Sequence, residues 1–130
     1  MGKEMMRNVF VTVLAGAIVS VFVSANASAA GDPAAGKQIF QKCALCHSPQ
    51  KGVNKVGPSL WGVVGRPSAS ITTYDYSPAL KKTHWTWTPA KLDQWLQGPS
   101  KLVPGTKMIF PGLPTVQERS DVIAYLATLK

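Results

Sequence analysis

The chain has 130 residues, a length typical of one domain, and a formal net charge of +8 from 14 basic and 6 acidic residues. It has two cysteines, separated by two residues, and a disulfide between them would close a very small loop, so the composition excludes a disulfide framework. A basic surface favours acidic proteins, anionic membranes or nucleic acids as partners.

The first 30 residues have the pattern of a secretory signal peptide. A basic start is followed by the uncharged, apolar residues 9–23 and by small residues of the Ala-x-Ala type. We therefore expect cleavage between Ala27 and Gly31, export to the bacterial periplasm, and a mature domain of residues 31–130 with a net charge of +7. Export argues against nucleic acid as a partner. The alternative is an uncleaved membrane anchor, although the apolar run is short for a spanning helix.

Three substantial helices are predicted in the mature domain, and no segment shows the apolar–polar alternation of a strand. The first spans residues 33–42 and begins with an aspartate cap followed by a proline. The second begins with Thr88 and Pro89 and ends before a Gly-Pro pair. The third opens with a capping box made by Thr115 and Glu118. The fold class expected from these elements is all-α.

Long connecting segments separate the predicted helices. Residues 48–70 are rich in Gly, Pro, Ser and Lys, and one short helix is expected around residues 60–64. Another short helix is expected at residues 77–82, and residues 101–114 are predicted to form a second loop. Loops of this length are uncommon in a compact domain unless something organises them, and a large apolar prosthetic group would do so.

Residues 43–47 read Cys-Ala-Leu-Cys-His and match the C-x-x-C-H signature of covalent haem attachment. Cys43 and Cys46 would lie on one side of a helical turn, where each thiol can bond one vinyl group of a haem. His47 would then be the proximal ligand of the iron. A zinc site needs four ligands, and a thioredoxin-like thiol pair needs a βαβ unit. The sequence offers neither a second cysteine pair nor a strand pattern.

The second axial position of the iron can hold a methionine, hold a histidine or stay open. Three of the four methionines lie in the predicted signal peptide, which leaves Met108 in the second loop. His84 is the other candidate, since it is the only further histidine. On the residues alone Met108 can be either an iron ligand or a packing residue, because a lone methionine often serves packing.

Several motifs in their order along the chain resemble the class I cytochromes c, particularly the bacterial cytochromes c2 and their mitochondrial relatives. The resemblance covers residues 31–130. It implies the cytochrome c fold, in which three main helices, short helices and loops wrap around one covalent haem c. It also implies a close crossing of the first and last helices. Besides C-x-x-C-H, the matching segments are G-K-Q-I-F at 36–40, G-P-S-L at 57–60, the methionine segment at 104–110 and D-V-I-A-Y-L at 121–126.

The resemblance also implies roles for residues around the haem. The carbonyl of Pro58 would accept the second N–H of His47, and Met108 would be the second iron ligand. Trp95 stands where the family frequently has a tyrosine, and an indole cannot accept a hydrogen bond. For the two aromatic residues among the propionate contacts, the alternative is a purely structural role in the core. The implied propionate contacts are Arg66, Tyr76, Trp87 and Thr106.

In function the resemblance implies a monomeric, mono-haem electron carrier rather than an enzyme, shuttling single electrons between respiratory or photosynthetic complexes. The implied partners present acidic docking faces: a bc1-type complex as donor, and a terminal oxidase, reductase or photosynthetic reaction centre as acceptor. Membrane contact would be transient. Two other functions stay open, namely a dedicated electron acceptor for one periplasmic dehydrogenase, and a haem peroxidase or gas sensor with an open sixth site.

Lysines near the expected haem segments would steer docking to acidic partners, or would only keep a small domain in solution. Docking is the favoured role for the lysine beside Met108. The candidate lysines are Lys42, Lys55, Lys81, Lys82, Lys101 and Lys107.

Overall fold

The computed structural model describes residues 30–130. In this part of the chain the only strand-like pairing is a single bridge between Pro67 and Thr86, so the expected all-α class is confirmed. The three longest helices, α1, α3 and α5, correspond to the three that the sequence predicts. The helices are α1 (Pro33–Ile39), α2 (Pro78–Lys81), α3 (Pro89–Gln97), α4 (Pro99–Leu102) and α5 (Val116–Leu126), and a 3-10 turn at Phe40–Lys42 extends α1 towards the first cysteine.

The helix starts follow from capping chemistry. Prolines open α1 to α4, where the missing N–H costs nothing and φ is already helical. The Thr115 hydroxyl accepts the backbone N–H of Glu118 at 3.1 Å, and the Glu118 carboxylate accepts the N–H of Thr115 at 3.4 Å, which completes the predicted capping box of α5. Side-chain oxygens also accept backbone N–H groups at the starts of α1, α2 and α3, from Asp32, Ser77 and Thr88.

Helices α1 and α5 cross closely at a glycine. A Cβ added at Gly36 would overlap the backbone carbonyl of Asp121, so no larger residue allows this approach. The Asp121 carboxylate accepts the backbone N–H of Asp32 at 2.7 Å, and Phe40 packs on Tyr125 with ring centroids 5.1 Å apart. These contacts join the two ends of the described chain.

The hydrophobic core lies between this helix pair, α3 and the loops. A partly buried ion pair joins α5 to α3, because Arg119 donates to the carboxylate of Asp93 at 2.7 Å and to the carbonyl of Leu113 at 2.9 Å. The main core residues are Phe40, Val63, Tyr76, Leu80, Trp87, Leu92, Trp95, Leu96, Val103, Leu113, Val122, Leu126 and Leu129.

Two local predictions are wrong. Residues 60–64 form turns rather than a short helix, with Gly62 at a φ of +64° and its N–H donated to the carbonyl of Leu129 at 2.6 Å. The second loop begins later than expected, because Pro99 not only follows the end of α3 but also opens the additional short helix α4. The short helix predicted at residues 77–82 is present as α2.

No helix within residues 30–130 combines the length and the apolar character needed to cross a membrane. The predicted signal peptide, with its alternative as a retained anchor, lies outside the described residues except for Ala30.

Candidate haem site

The C-x-x-C-H segment continues the turn that ends α1. The N–H of Ala44 donates to the Phe40 carbonyl at 2.9 Å, and the N–H of His47 donates to the Cys43 carbonyl at 2.9 Å. Cys43 is half-buried and Cys46 is exposed, and they form no disulfide. The helical turn therefore holds both cysteines in one short segment beside His47.

The described surroundings of the cysteines argue against a zinc site. Burial raises the pKa of the Cys43 thiol to about 11. Across residues 30–130, no three His, Cys, Asp or Glu side chains cluster closely enough to hold a metal ion.

His47 is held in one orientation by the residues of the G-P-S-L segment. Its ring is 9 % exposed, and Nδ1 lies 2.7 Å from the carbonyl oxygen of Pro58. A carbonyl only accepts, so Nδ1 carries the proton. Burial lowers the pKa of His47, which keeps the imidazole neutral and leaves the lone pair on Nε2 for a metal. A Cβ at Gly57 would overlap the ring, so this glycine is required for the close packing.

Arg66 and Trp87 are brought together by backbone pairing. The Trp87 N–H donates to the Arg66 carbonyl at 2.9 Å, and the Gly65 N–H donates to the Trp87 carbonyl at 2.9 Å. The buried Trp87 ring packs edge-on against Trp95 and Trp85, with centroids 5.3 Å and 5.7 Å away. These contacts fit the core-aromatic interpretation of Trp87 and leave its role towards a propionate a prediction.

Tyr76 is the third predicted propionate contact in this region. It is buried, its hydroxyl oxygen accepts the backbone N–H of Ile71 at 3.3 Å, and its ring packs on Tyr74 with centroids 4.8 Å apart. Burial raises the pKa of Tyr76, and the nearby Arg66 charge partly opposes that shift. These contacts fit the core-aromatic interpretation of Tyr76, and its role towards a propionate stays a prediction.

Met108 lies in an extended segment with little regular structure. Residues 107–112 make no backbone–backbone hydrogen bond to any described residue, although the Thr106 hydroxyl accepts the Met108 N–H at 3.3 Å. The Met108 side chain is half-buried and packs against the core. His84, the rival ligand, is exposed in a turn with a φ of +49°.

Two polar residues near these segments were missed by sequence reasoning. Ser59 is fully buried, and its hydroxyl donates to the Gln50 carbonyl at 2.6 Å. This bond closes the loop of residues 50–59, which contains Pro58, the hydrogen-bond partner of His47. Asp75 accepts from Lys107 at 2.9 Å and from Lys81 at 3.2 Å. No sequence signal marks Ser59, whereas Asp75 stands out as the only acidic residue between positions 33 and 92.

The surroundings of Arg66 test whether these residues fit a haem. Its guanidinium donates to the neutral carbonyls of Trp61 and Ser59 at 2.8 Å and 3.1 Å, while Nε is buried with no partner among the described residues. Burial lowers the pKa of Arg66, which reflects a cation without a compensating carboxylate. Haem carries two propionate carboxylates that would satisfy such a donor. With two cysteines and a neutral imidazole in one turn, the donor set fits haem c.

Comparisons with known proteins agree with this geometry. A sequence model of the cytochrome c family matches residues 33–130. Cytochrome c2 of Rhodopila globiformis is 54 % identical over 101 residues, which cover 77 % of this chain and 95 % of that protein. Cytochrome c of Euglena viridis is 46 % identical over 101 residues, covering 77 % of this chain and 99 % of that protein.

A solved structure is equally similar. Cytochrome cH from Methylobacterium extorquens superposes with a TM-score of 0.71 at 48 % identity, covering 75 % of this chain and 99 % of that one. The chain therefore belongs to the cytochrome c family of mono-haem electron carriers, with one haem c attached covalently at the Cys43 and Cys46 motif.

Proposed function

We propose that this protein shuttles single electrons between respiratory or photosynthetic redox complexes, with its iron held by His47 and Met108. The observation that supports this most is the state of His47, a buried, neutral imidazole whose Nδ1 proton is donated to Pro58. The remaining Nε2 lone pair is oriented by that bond, and the fixed ring keeps ligation unchanged when the iron changes oxidation state.

Met108 is the best second ligand that the described residues offer. It is the only methionine after residue 30, and it is packed against the core, whereas His84 is exposed on a turn. A thioether ligand favours ferrous iron and raises the reduction potential. With His47 and Met108 both bound to the iron, no site for a reacting molecule would remain, so we assign electron transfer and no enzymatic activity.

The remaining residues of the site bind and shield the cofactor. Haem supplies the one-electron Fe(III)/Fe(II) couple. Cys43 and Cys46 would tether it through two thioether bonds. The side chains that we assign to the haem propionates would donate hydrogen bonds to them, and Arg66 would also supply a positive charge. These side chains are Arg66, Tyr76, Trp87 and Thr106.

We further propose that the protein is periplasmic and monomeric. It would dock transiently on the acidic faces of its redox partners, which would be a bc1-type donor and an oxidase, a reductase or a reaction centre as the acceptor. The net charge of +7 after signal cleavage supports this, since it steers association with acidic surfaces. Of the six candidate lysines, Lys82 and Lys101 form neither an ion pair nor a side-chain hydrogen bond with a described residue, whereas Lys55 donates to the carbonyl of Ala44. Lys82 and Lys101 are therefore the most available for docking.

The experiment that tests the proposal compares wild-type protein with Met108→Ala. We expect the ferric wild-type protein to show the weak red absorption band typical of Met–iron ligation, and the ferrous form not to bind carbon monoxide at neutral pH. The variant should lose the band, bind carbon monoxide and have a lower reduction potential. His84→Ala is the control and should keep the wild-type spectrum. An unchanged spectrum in Met108→Ala would rule out this ligand.

A further inference from the structure

Asp75 is the only acidic side chain between positions 33 and 92, and two lysines share its carboxylate. Lys107 donates to Oδ2 at 2.9 Å and Lys81 donates to Oδ1 at 3.2 Å. The Lys107 ammonium also donates to the backbone carbonyl of Asp75 at 2.9 Å. The carboxylate is 81 % exposed, so burial does not explain this arrangement. We call these three side chains the clasp.

The two sides of the clasp differ in how firmly they are held. Asp75 precedes the buried Tyr76 and Ser77, and the Ser77 hydroxyl caps α2, the helix that carries Lys81. This side is therefore anchored in the core. Residues 107–112, on the other side, have no backbone–backbone hydrogen bond to the described chain. The Lys107 side chain thus connects the segment next to Met108 to the anchored segment that contains Asp75.

We propose that Asp75 is a positioning residue, whose ion pair with Lys107 keeps the Met108 thioether bound to the haem iron. The inference rests on the proposed ligation by Met108 and extends it to the residue that holds the ligand in place. Without the Asp75 charge, Lys81 and Lys107 repel one another across the same gap, and the methionine segment opens more often.

The clasp also changes the role of Lys107. The Lys107 ammonium directs two of its three N–H donors to Asp75, and its charge is offset locally by the carboxylate of that residue. Lys107 therefore acts within the molecule, in contrast to the docking role that its position beside Met108 suggests.

The test is imidazole binding to the ferric holoprotein, because imidazole can reach the iron only after the Met108 sulfur leaves. In Asp75→Asn we expect roughly two- to fivefold tighter imidazole binding and a similar rise in the rate reached at saturating imidazole, the size typical of an exposed ion pair. The effect is partial because the backbone carbonyl of Asp75 still accepts from Lys107. The difference should shrink in high salt. Asp75→Glu should restore most of the wild-type behaviour.

The matched control is Glu118→Gln, which removes another exposed carboxylate paired with a lysine, Lys42 at 3.4 Å, and also weakens the α5 cap. This variant should lower the free energy of unfolding in urea without changing the saturating imidazole rate. Equal imidazole affinity and rate in wild type and Asp75→Asn at low salt would overturn the clasp alone. A ferric wild-type spectrum that loses no red Met–iron absorption band as imidazole binds would overturn Met108 ligation and the clasp together.

Discussion

Arg66 shows at the scale of one residue how the surroundings of a half-buried charge can indicate the kind of ligand that it binds. Its guanidinium binds two neutral carbonyls and keeps one N–H without a partner among residues 30–130. Replacement by Met removes a positive charge that disfavours Fe(III). We therefore expect Arg66→Met to lower the reduction potential by on the order of 50 mV, measured by voltammetry of the holoprotein.

Arg66→Lys is the matched control for this change. It keeps the charge but loses the planar fork that reaches several acceptors at once, so the potential should fall less than in Arg66→Met. A potential in Arg66→Met equal to that of the wild type would contradict the assignment of Arg66 to a propionate.

What the sequence could predict at this scale depends on whether a role is local. The C-x-x-C-H motif contains its own spacing and therefore predicts the cysteines and His47 together, and the His47–Pro58 hydrogen bond implied by the resemblance is present. The clasp could not be predicted, because Asp75 meets Lys107 only through the fold, across 32 positions. The buried Ser59 bond depends in the same way on loop geometry.

At the scale of secondary-structure elements, the sequence predicts the starts of helices better than the conformation of irregular segments. Caps and prolines are local signals, so the starts of α1, α3 and α5 follow directly from the sequence. The helix predicted at residues 60–64 is wrong because the turns there are stabilised by a distant part of the chain, through the hydrogen bond from the Gly62 N–H to the carbonyl of Leu129. Helix α4 was missed because a proline can both follow one helix and open the next.

The crossing of α1 and α5 gives a prediction in which two effects have opposite signs. Helix propensity alone would make Gly36→Ala stabilising by up to about 1 kcal/mol. The added Cβ, however, would overlap the Asp121 carbonyl, and such overpacking typically costs about 1–3 kcal/mol. We expect the clash to win and urea unfolding to show a net loss of stability.

Gln38→Ala is the control on the same helix, since Gln38 is exposed and its replacement should change stability by less than about 0.5 kcal/mol. A stabilised Gly36→Ala variant would mean that the two helices are further apart than the structure places them.

At the scale of the whole molecule, charge should govern how fast electrons are exchanged. We expect oxidation of the ferrous protein by the anionic hexacyanoferrate(III) to slow as salt is added, because attraction to a basic surface is screened. Lys82→Glu and Lys101→Glu should each lower the rate at low salt by roughly twofold, as measured by stopped-flow absorbance.

Lys37→Glu carries the same change in net charge and serves as the control, because Lys37 is exposed on α1 and outside the proposed docking set. Its effect should be smaller than that of the other two variants. Equal losses in all three would show that overall charge, rather than a face containing Lys82 and Lys101, controls the encounter.

The pairing of α1 with α5 also orders events during biosynthesis. The first helix of the domain has no partner until the last one has been made, because the surface around Gly36 fits only the backbone near Asp121. Until then the chain behind α1 stays open, and Cys43 and Cys46 lie directly behind it. The topology thus leaves an interval, before α5 has been made, in which both thiols are accessible for attachment.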